Sequence, residues 1–174
     1  MKWFLIVLGA LVALVAVIAI VGALLPRDHT ATRAAQFRQP PTALFAVVRD
    51  FAALPSWRGD LKSVELVPAR DGLVCYREVS RHGPITYVVR EERAAERLVL
   101  EIADDNLPYG GRWTFEFRVA PNGGAEMRIT EHGFVKNVIF RFLAHFVFGY
   151  TATMESYLRD LAKKFGEPAP QFSK

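Results

Sequence analysis

Hydrophobic positions recur with a helical period near the C-terminus of the chain. No proline interrupts residues 137–165, and in the second half of this stretch apolar residues lie three or four positions apart. The residues of this stripe are Leu143, Val147, Tyr150, Met154, Leu158 and Leu161. Gly166 and Pro168 follow, as is usual after a helix end. The pattern predicts one long helix that ends near residue 165.

The first half of the same stretch, residues 138–148, is apolar on nearly every side. Val138, Phe142 and Phe148 lie off the main stripe, so this half needs cover on more than one side. Either a helix predicted at residues 40–51 or a lipid bilayer could provide that cover. We favour packing on the helix, because a small domain needs most of its apolar residues inside.

Strict alternation of apolar and polar residues in the middle of the chain predicts an antiparallel sheet. The clearest strand is residues 112–119, and a turn at Asn122-Gly123 leads into a return strand at residues 125–132. Weaker alternation predicts a first strand at residues 29–39. Four further strands are expected at residues 64–67, 73–80, 85–91 and 97–102.

The order of these elements favours an α+β fold. A first strand, one or two short helices, about six strands and a long helix follow one another, and such runs indicate layered packing. A curved antiparallel sheet of this size would wrap the last helix and could leave a cavity between the two.

A separate hydrophobic segment precedes this domain. Residues 4–25 carry no charge, and a helix of that length spans the roughly 30 Å hydrocarbon core of a bilayer. A cleaved signal peptide is the alternative, with Val21-Gly22-Ala23 as a passable cleavage site. We therefore expect a transmembrane anchor (1–26), a linker (27–30), a folded domain (31–167) and a tail (168–174). The single-pass protein would reside in a membrane, and its orientation stays open, because Lys2 and the arginines after the anchor pull in opposite directions.

Composition and charge narrow the classes of partner. The chain holds 22 Lys and Arg against 18 Asp and Glu, a net charge of +4, and these charges are interspersed, so no nucleic-acid partner is expected. The single cysteine, Cys75, cannot form an internal disulfide. The four histidines show no metal-ligand spacing, and no phosphate-binding glycine loop is present. We expect no metal and no cofactor, and the oligomeric state is left open.

Four short sequence motifs resemble those of a known family. They are residues 39–51 leading to Pro55-Ser56-Trp57, residues 110–115, residues 130–133, and Tyr157-Leu158. With the element order, they make residues 31–167 resemble the START/Bet v 1-like (SRPBCC) superfamily, the polyketide cyclase/dehydrase and lipid-transport group. The resemblance implies a helix-grip fold with a hydrophobic cavity between sheet and C-terminal helix. Activities in this superfamily range from lipid carriage to cyclase chemistry, so fold does not fix function.

The implied cavity predicts a set of ligand-binding residues. Aromatic and aliphatic side chains would bound it and tyrosines would supply polar groups, as in most ligand pockets. The alternative is a fully packed core, in which aromatic residues only fill space. The predicted residues are Trp57, Tyr76, Tyr87, Trp113, Phe115, Phe117, Met127, Ile129, Glu131, Tyr150 and Met154.

Two carboxylates are candidates for catalysis. Strand parity puts Glu131 on the inner face with Met127 and Ile129, where burial would raise its pKa and suit acid–base chemistry. Alternatively, Glu131 sits at the rim, bonded to a backbone amide or an arginine. Glu78 faces inward if Tyr76 does, whereas the opposite parity would turn Cys75 inward.

These observations lead to three hypotheses of function. The first is a membrane-anchored domain that binds a hydrophobic, lipid-like or aromatic small molecule. The second is an enzyme of the cyclase or dehydratase type that acts on such a ligand through Glu131 or Glu78 with a tyrosine. The third is an interaction module without a ligand.

Overall fold

The computed structural model describes residues 1–121 and 123–174. Its helices are α1 (Lys2–Leu24), α2 (Pro41–Arg49), α3 (Val138–Leu143) and α4 (Ala152–Lys164), with a 3₁₀-helix at Phe51–Ser56 and a π-helical turn at Ala144–Phe148. Its strands are β1 (Asp28–Phe37), β2 (Leu61–Arg70), β3 (Leu73–Ser80), β4 (Gly83–Arg93), β5 (Arg97–Ile102), β6 (Tyr109–Val119) and β7 (Ala125–Val135).

The seven strands form one antiparallel sheet in the order β1-β7-β6-β5-β4-β3-β2. The chain therefore has the α+β, helix-grip-like architecture that the alternating pattern and the resemblance predicted. β1 begins at Asp28, inside the stretch expected to be a linker. The turn expected at Asn122-Gly123 includes residue 122, which lies outside the described residues.

Four strands, β2, β4, β6 and β7, are longer than the alternation predicts, and the extensions of β2 and β6 have a clear physical reason. β2 continues through Pro68, which an edge strand tolerates because one side of its backbone makes no ladder hydrogen bonds. β6 begins at Tyr109 and so contains Gly110 and Gly111. Gly111 has a φ of +138°, and a Cβ there would collide with the carbonyl oxygen of His132 on β7. Glycine is needed at this position because the β6 and β7 backbones approach closely.

The core lies between the inner face of the sheet and α4. Met154, Leu158 and Leu161 of α4 are fully buried, and they join one cluster with inward-facing residues such as Phe115 and Ile129. Their helical spacing of three to four residues places them on one side of α4. The C-terminal helix therefore packs against the apolar side of the sheet.

The prediction of one continuous helix over residues 137–165 is wrong. The chain breaks at residues 149–151, where Gly149 adopts a φ of +71° that favours glycine. Within the predicted helix, only the 13 residues of α4 pack against the sheet. The first half turns away, so Val147, which belongs to the predicted stripe, is 61 % exposed.

α3 packs chiefly against α1. Asn137 begins α3 by accepting hydrogen bonds from the backbone amides of Ile139 and Phe140 through its side-chain oxygen. Gly22 of α1 is buried against this helix, with the backbone of Val138 directly opposite. The preference for packing on the first helix of the domain is thus wrong, since the cover comes from α1. Periodicity indicated that residues 138–148 need cover but could not identify the covering element.

Substitution of Gly22 tests this contact. A Cβ at Gly22 would collide with the carbonyl oxygen of Val138, whereas a Cβ at Gly9 meets nothing within 4 Å. Overpacking of this kind costs roughly 1–3 kcal/mol. We expect Gly22→Ala to speed proteolysis within residues 138–148 by at least about five-fold in detergent, since cleavage follows the population of the opened state. Gly9→Ala should leave the rate unchanged, and equal rates in both variants would contradict the contact.

Candidate functional site

A small cavity of about 50 Å³ lies between the sheet, the 3₁₀-helix and α4. This volume holds one or two water molecules, at about 30 Å³ each, and is well below the roughly 300–1,000 Å³ of ligand pockets. The side chains around it are mostly apolar or aromatic, with a few polar groups. They are Val48, Leu54, Arg58, Tyr76, Glu78, Tyr87, Leu100, Trp113, Phe115, Thr153 and Tyr157.

Strand alternation places the polar side chains in this cavity. Tyr76 and Glu78 on β3 are two residues apart and face inward together, and Tyr87 of β4 lies directly opposite Tyr76 in the register. Cys75 therefore points to the outer face. Of the two parities that the sequence left open, the structure has the one in which Glu78 faces the cavity.

A buried ion pair forms one side of the cavity. Nη1 of Arg58 lies 2.8 Å from Oε1 of Glu78, and the two side chains are 10 % and 8 % exposed. The same guanidinium also binds Asp60 through two hydrogen bonds, of 3.2 Å from Nε and 2.7 Å from Nη2. It lies 5.1 Å from the centre of the Tyr157 ring. One guanidinium thus serves two carboxylates, and the desolvation of the pair is offset by several hydrogen bonds.

Burial sets the protonation of the groups around the cavity. It raises the pKa of Glu78 above the usual carboxyl range, while the charge of Arg58 and its hydrogen bond act in the opposite direction. Burial also raises the pKa of Tyr76, Tyr87 and Tyr157 well above that of a free phenol. All three phenols therefore remain neutral near pH 7 and can donate a hydrogen bond.

Aromatic rings form much of the wall. Phe51 stacks on Tyr76 at 4.0 Å, and Tyr76 stacks on Tyr87 at 5.4 Å. On the other side, Tyr157 makes edge contacts with Trp57 at 5.2 Å and Trp113 at 6.3 Å. Such paired rings are large and keep a fixed geometry, so the wall is preorganised for a flat or hydrophobic guest.

The predicted ligand-binding residues fall into three places. Tyr76, Tyr87, Trp113 and Phe115 line the cavity, as does the catalytic candidate Glu78. A second group lies in the packed core, where Trp57 is also buried: Phe117, Met127, Ile129 and Met154. Glu131 and Tyr150 form the third group, away from the cavity. Whether any of these residues binds a ligand stays a prediction.

Glu131 and Tyr150 meet at His29, near the start of β1. Oε1 of Glu131 lies 3.5 Å from Nε2 of His29, and the Tyr150 ring stacks on the His29 ring at 3.9 Å. A Cβ at Gly133 would lie 2.6 Å from Cε1 of His29, so glycine leaves room for this group. The geometry matches the rim position of the alternative, but the partner of Glu131 is a histidine rather than a backbone amide or an arginine.

Sequence reasoning missed six residues of the cavity lining, and three of these carry a polar group: Arg58, Thr153 and Tyr157. Arg58 follows the 3₁₀-helix in an irregular segment, where no periodic pattern indicates which way a side chain points. Tyr157 belongs to a motif that carried the resemblance but was given no role. The aromatic Tyr157 within the apolar spacing of α4 was the one signal that could have placed it in the site.

Removal of Arg58 tests the buried pair. In Arg58→Met, Glu78 is left buried without its partner, which costs roughly 3–5 kcal/mol of the free energy of unfolding. The matched control is Arg90→Met, because Arg90 pairs with Glu101 at 3.3 Å while 44 % exposed, and such pairs contribute at most about 1 kcal/mol. Denaturant midpoints measure both values. Equal losses in the two variants would contradict the assignment.

Solved structures share this architecture. An aromatase/cyclase, Zhui, from Streptomyces sp. R1128 superposes with a TM-score of 0.64 at 10% identity, over 79% of this chain and 93% of that one. A START superfamily protein from Mycobacterium smegmatis gives a TM-score of 0.60 at 12% identity, over 78% and 96% of the two chains. A protein from Thermus thermophilus gives 0.59 at 19% identity, over 79% and 95%. At these identities the similarity shows the fold alone.

Sequence comparison identifies the family. No curated protein matches the chain significantly. The sequence profile of the polyketide cyclase/dehydrase and lipid transport family, however, matches residues 28–166, which is nearly all of the chain after α1. Together with the helix-grip-like fold, this match shows that the chain belongs to the polyketide cyclase/dehydrase and lipid transport family.

Proposed function

We propose that this protein is a membrane-anchored domain that takes up a hydrophobic, lipid-like or aromatic small molecule between the sheet and α4. The observation that carries the proposal is a cavity whose wall is apolar and aromatic but includes a buried Arg58–Glu78 pair and three neutral phenols. Ligand sites usually combine an apolar lining with a few polar groups in this way. The family name, which covers cyclases, dehydrases and lipid transport, supports the same class of ligand.

The charge around Arg58 selects the polar end of the ligand. Glu78 and Asp60 already share its guanidinium, so an anionic head group would meet two carboxylates and one positive charge. A neutral hydroxyl or carbonyl group avoids this repulsion and can accept a hydrogen bond from Tyr76 or Tyr87. We therefore expect a neutral ligand with a hydrogen-bonding oxygen rather than a free fatty acid.

A ligand must enlarge the cavity, because about 50 Å³ cannot hold one. Thr153 lines the cavity and is also exposed at the surface, so it marks the mouth. It lies in the first turn of α4, directly after the break at residues 149–151. Outward displacement of this turn, with Gly149 as a hinge, is the movement that would open the site.

α1 would bring the mouth to the source of the ligand. It is 23 residues long and strongly apolar, and its most apolar stretch is not buried in the protein. A helix of this kind can span a bilayer. Because hydrophobic molecules partition into the bilayer, anchoring the domain there raises their effective concentration at the mouth.

Plugging the mouth tests ligand uptake. We expect the full chain, purified in mild detergent, to carry a hydrophobic adduct in native mass spectrometry. Thr153→Trp should lose this adduct, because the indole fills the mouth. Ser156→Trp is the matched control, since Ser156 is exposed on the same helix but does not line the cavity, and it should keep the adduct. A wild-type chain without any adduct, or equal adducts in both variants, would refute uptake at this site.

Glu78 favours the cyclase or dehydratase alternative over a purely binding role for one reason. It is a carboxyl group that faces the cavity beside two tyrosines, and burial raises its pKa above the ordinary value, which favours proton exchange with a ligand. In the Glu78→Gln variant a dehydratase would accumulate its substrate, so the adduct would be heavier by one water molecule than the wild-type adduct. An identical adduct mass in both proteins would leave Glu78 with a structural or binding role. Asp60 continues to pair with Arg58 in this variant, which limits the loss of stability.

A further inference from the structure

We propose that residues 138–148, which we call the interfacial segment, make a second contact with the bilayer beside the point where α1 leaves it. The proposal also makes α1 a permanent part of the folded protein. It rests on the membrane anchoring that the proposed function includes, but not on ligand uptake. The occupant of this surface is the lipid bilayer, at the depth of its head groups.

Arg141 joins the interfacial segment to the end of α1. Its residue is 8 % exposed, and its guanidinium donates to the carbonyl oxygens of Gly22 at 3.3 Å and Leu25 at 3.0 Å. It also donates to the carbonyl oxygen of Val135 at 3.1 Å. A cation that satisfies the last carbonyls of a helix stabilises that helix end. The end of α1 is thus built into the domain.

Cleavage of α1 would undo this arrangement. The cut expected for a signal peptide, after Ala23, would remove the Gly22 carbonyl and leave a buried guanidinium with fewer acceptors, which is costly. It would also remove the helix surface against which Val138 and Phe142 pack at Gly22. A segment that is discarded after export has no need of such a fit, so the geometry favours an anchor over a signal peptide.

The exposed apolar residues of the domain concentrate in the interfacial segment. After α1, eight large apolar residues of the described chain are exposed, and five of them lie between positions 139 and 148. Phe146, Val147 and Phe148 are 58–62 % exposed. The remaining three are scattered over different strands. A contiguous apolar patch of this kind marks a surface that another phase or molecule covers.

Its position identifies the bilayer as the cover. If α1 spans the membrane, its 23 residues at about 1.5 Å each reach across the hydrocarbon core, so Gly22 lies near one interface and the interfacial segment beside it lies at the same depth. Arg27 and Lys136 flank the patch, with their charged groups 5.1 and 5.7 Å from the Phe134 ring. Aromatic residues together with cations are the usual composition of a membrane interface.

Site-specific fluorescence in vesicles tests this placement. In the full chain carrying Cys75→Ala, single substitutions Phe146→Cys, Phe148→Cys and Val119→Cys are labelled with an environment-sensitive dye. The chain is then reconstituted into phosphatidylcholine–phosphatidylglycerol vesicles that contain lipids with a spin-label quencher near the head group. Val119 is the matched control, since it is also apolar and 76 % exposed. It ends β6, about 30 Å along the strand from Tyr109, which pairs with Val135 close to Arg141.

We expect the dyes at positions 146 and 148 to be quenched several-fold more strongly than the dye at position 119. Equal, weak quenching at all three positions would overturn the interfacial placement. Extraction of the same vesicles with alkaline carbonate, with an intact-mass measurement, reports on the anchor separately. Carbonate-resistant chain with unquenched dyes refutes the interfacial segment while the proposed anchor stands. Release of the chain, or a mass that lacks residues 1–23, refutes the anchor and the interfacial segment together.

Discussion

The fold depends on the division of one apolar stretch between two different partners, namely the sheet and α1. Residues 137–165 carry apolar positions along their whole length, yet the chain breaks at Gly149 and the two halves have different partners. α4 covers the inner face of the sheet, where Leu158 and Leu161 are fully buried. α3 packs against α1, and the apolar side chains of Phe146, Val147 and Phe148 in the π-helical turn are exposed. A continuous helix could not satisfy both demands, because its stripe would point to one side only.

Two buried arginines connect separate elements of the fold, and their charges are compensated by different acceptor groups. Arg58 lies against carboxylates, Glu78 and Asp60, inside the grip of sheet and helix. Arg141 lies at the end of α1, where its guanidinium donates to backbone carbonyl oxygens. A buried charge needs several good acceptors to offset desolvation. The first arginine therefore fixes the polar side of the cavity, and the second fixes the domain to its hydrophobic helix.

The sequence predicted the sheet well because strand alternation reports directly which residues share a face. β3 and β5 have the predicted bounds, whereas β2, β4, β6 and β7 extend further. In β2 the edge position tolerates Pro68, and in β6 Gly111 allows a close approach to β7. The helix was harder, because hydrophobic periodicity looks the same whether lipid or a protein core covers it. Glu131 shows the remaining limit. Strand parity predicted the face of the sheet on which the Glu131 side chain lies. Its position along β7, however, places this side chain beside His29 rather than in the cavity. Arg58 lies outside any regular element, so pattern alone could not locate it.

The break at Gly149 also connects the two surfaces that matter for the proposed function. Phe148 ends the interfacial segment, and Thr153, at the mouth of the cavity, follows it by five residues. A small cavity inside a rigid aromatic wall has one part that can move cheaply, namely the first turn of α4, since Gly149 has no side chain to repack and nothing lies within 4 Å of where its Cβ would stand. Insertion of the interfacial segment into lipid would fix one end of this hinge at the membrane. The mouth would then open toward the phase in which a neutral, hydrophobic ligand is most concentrated, and the same contact that holds the domain at the bilayer would set the direction of ligand transfer.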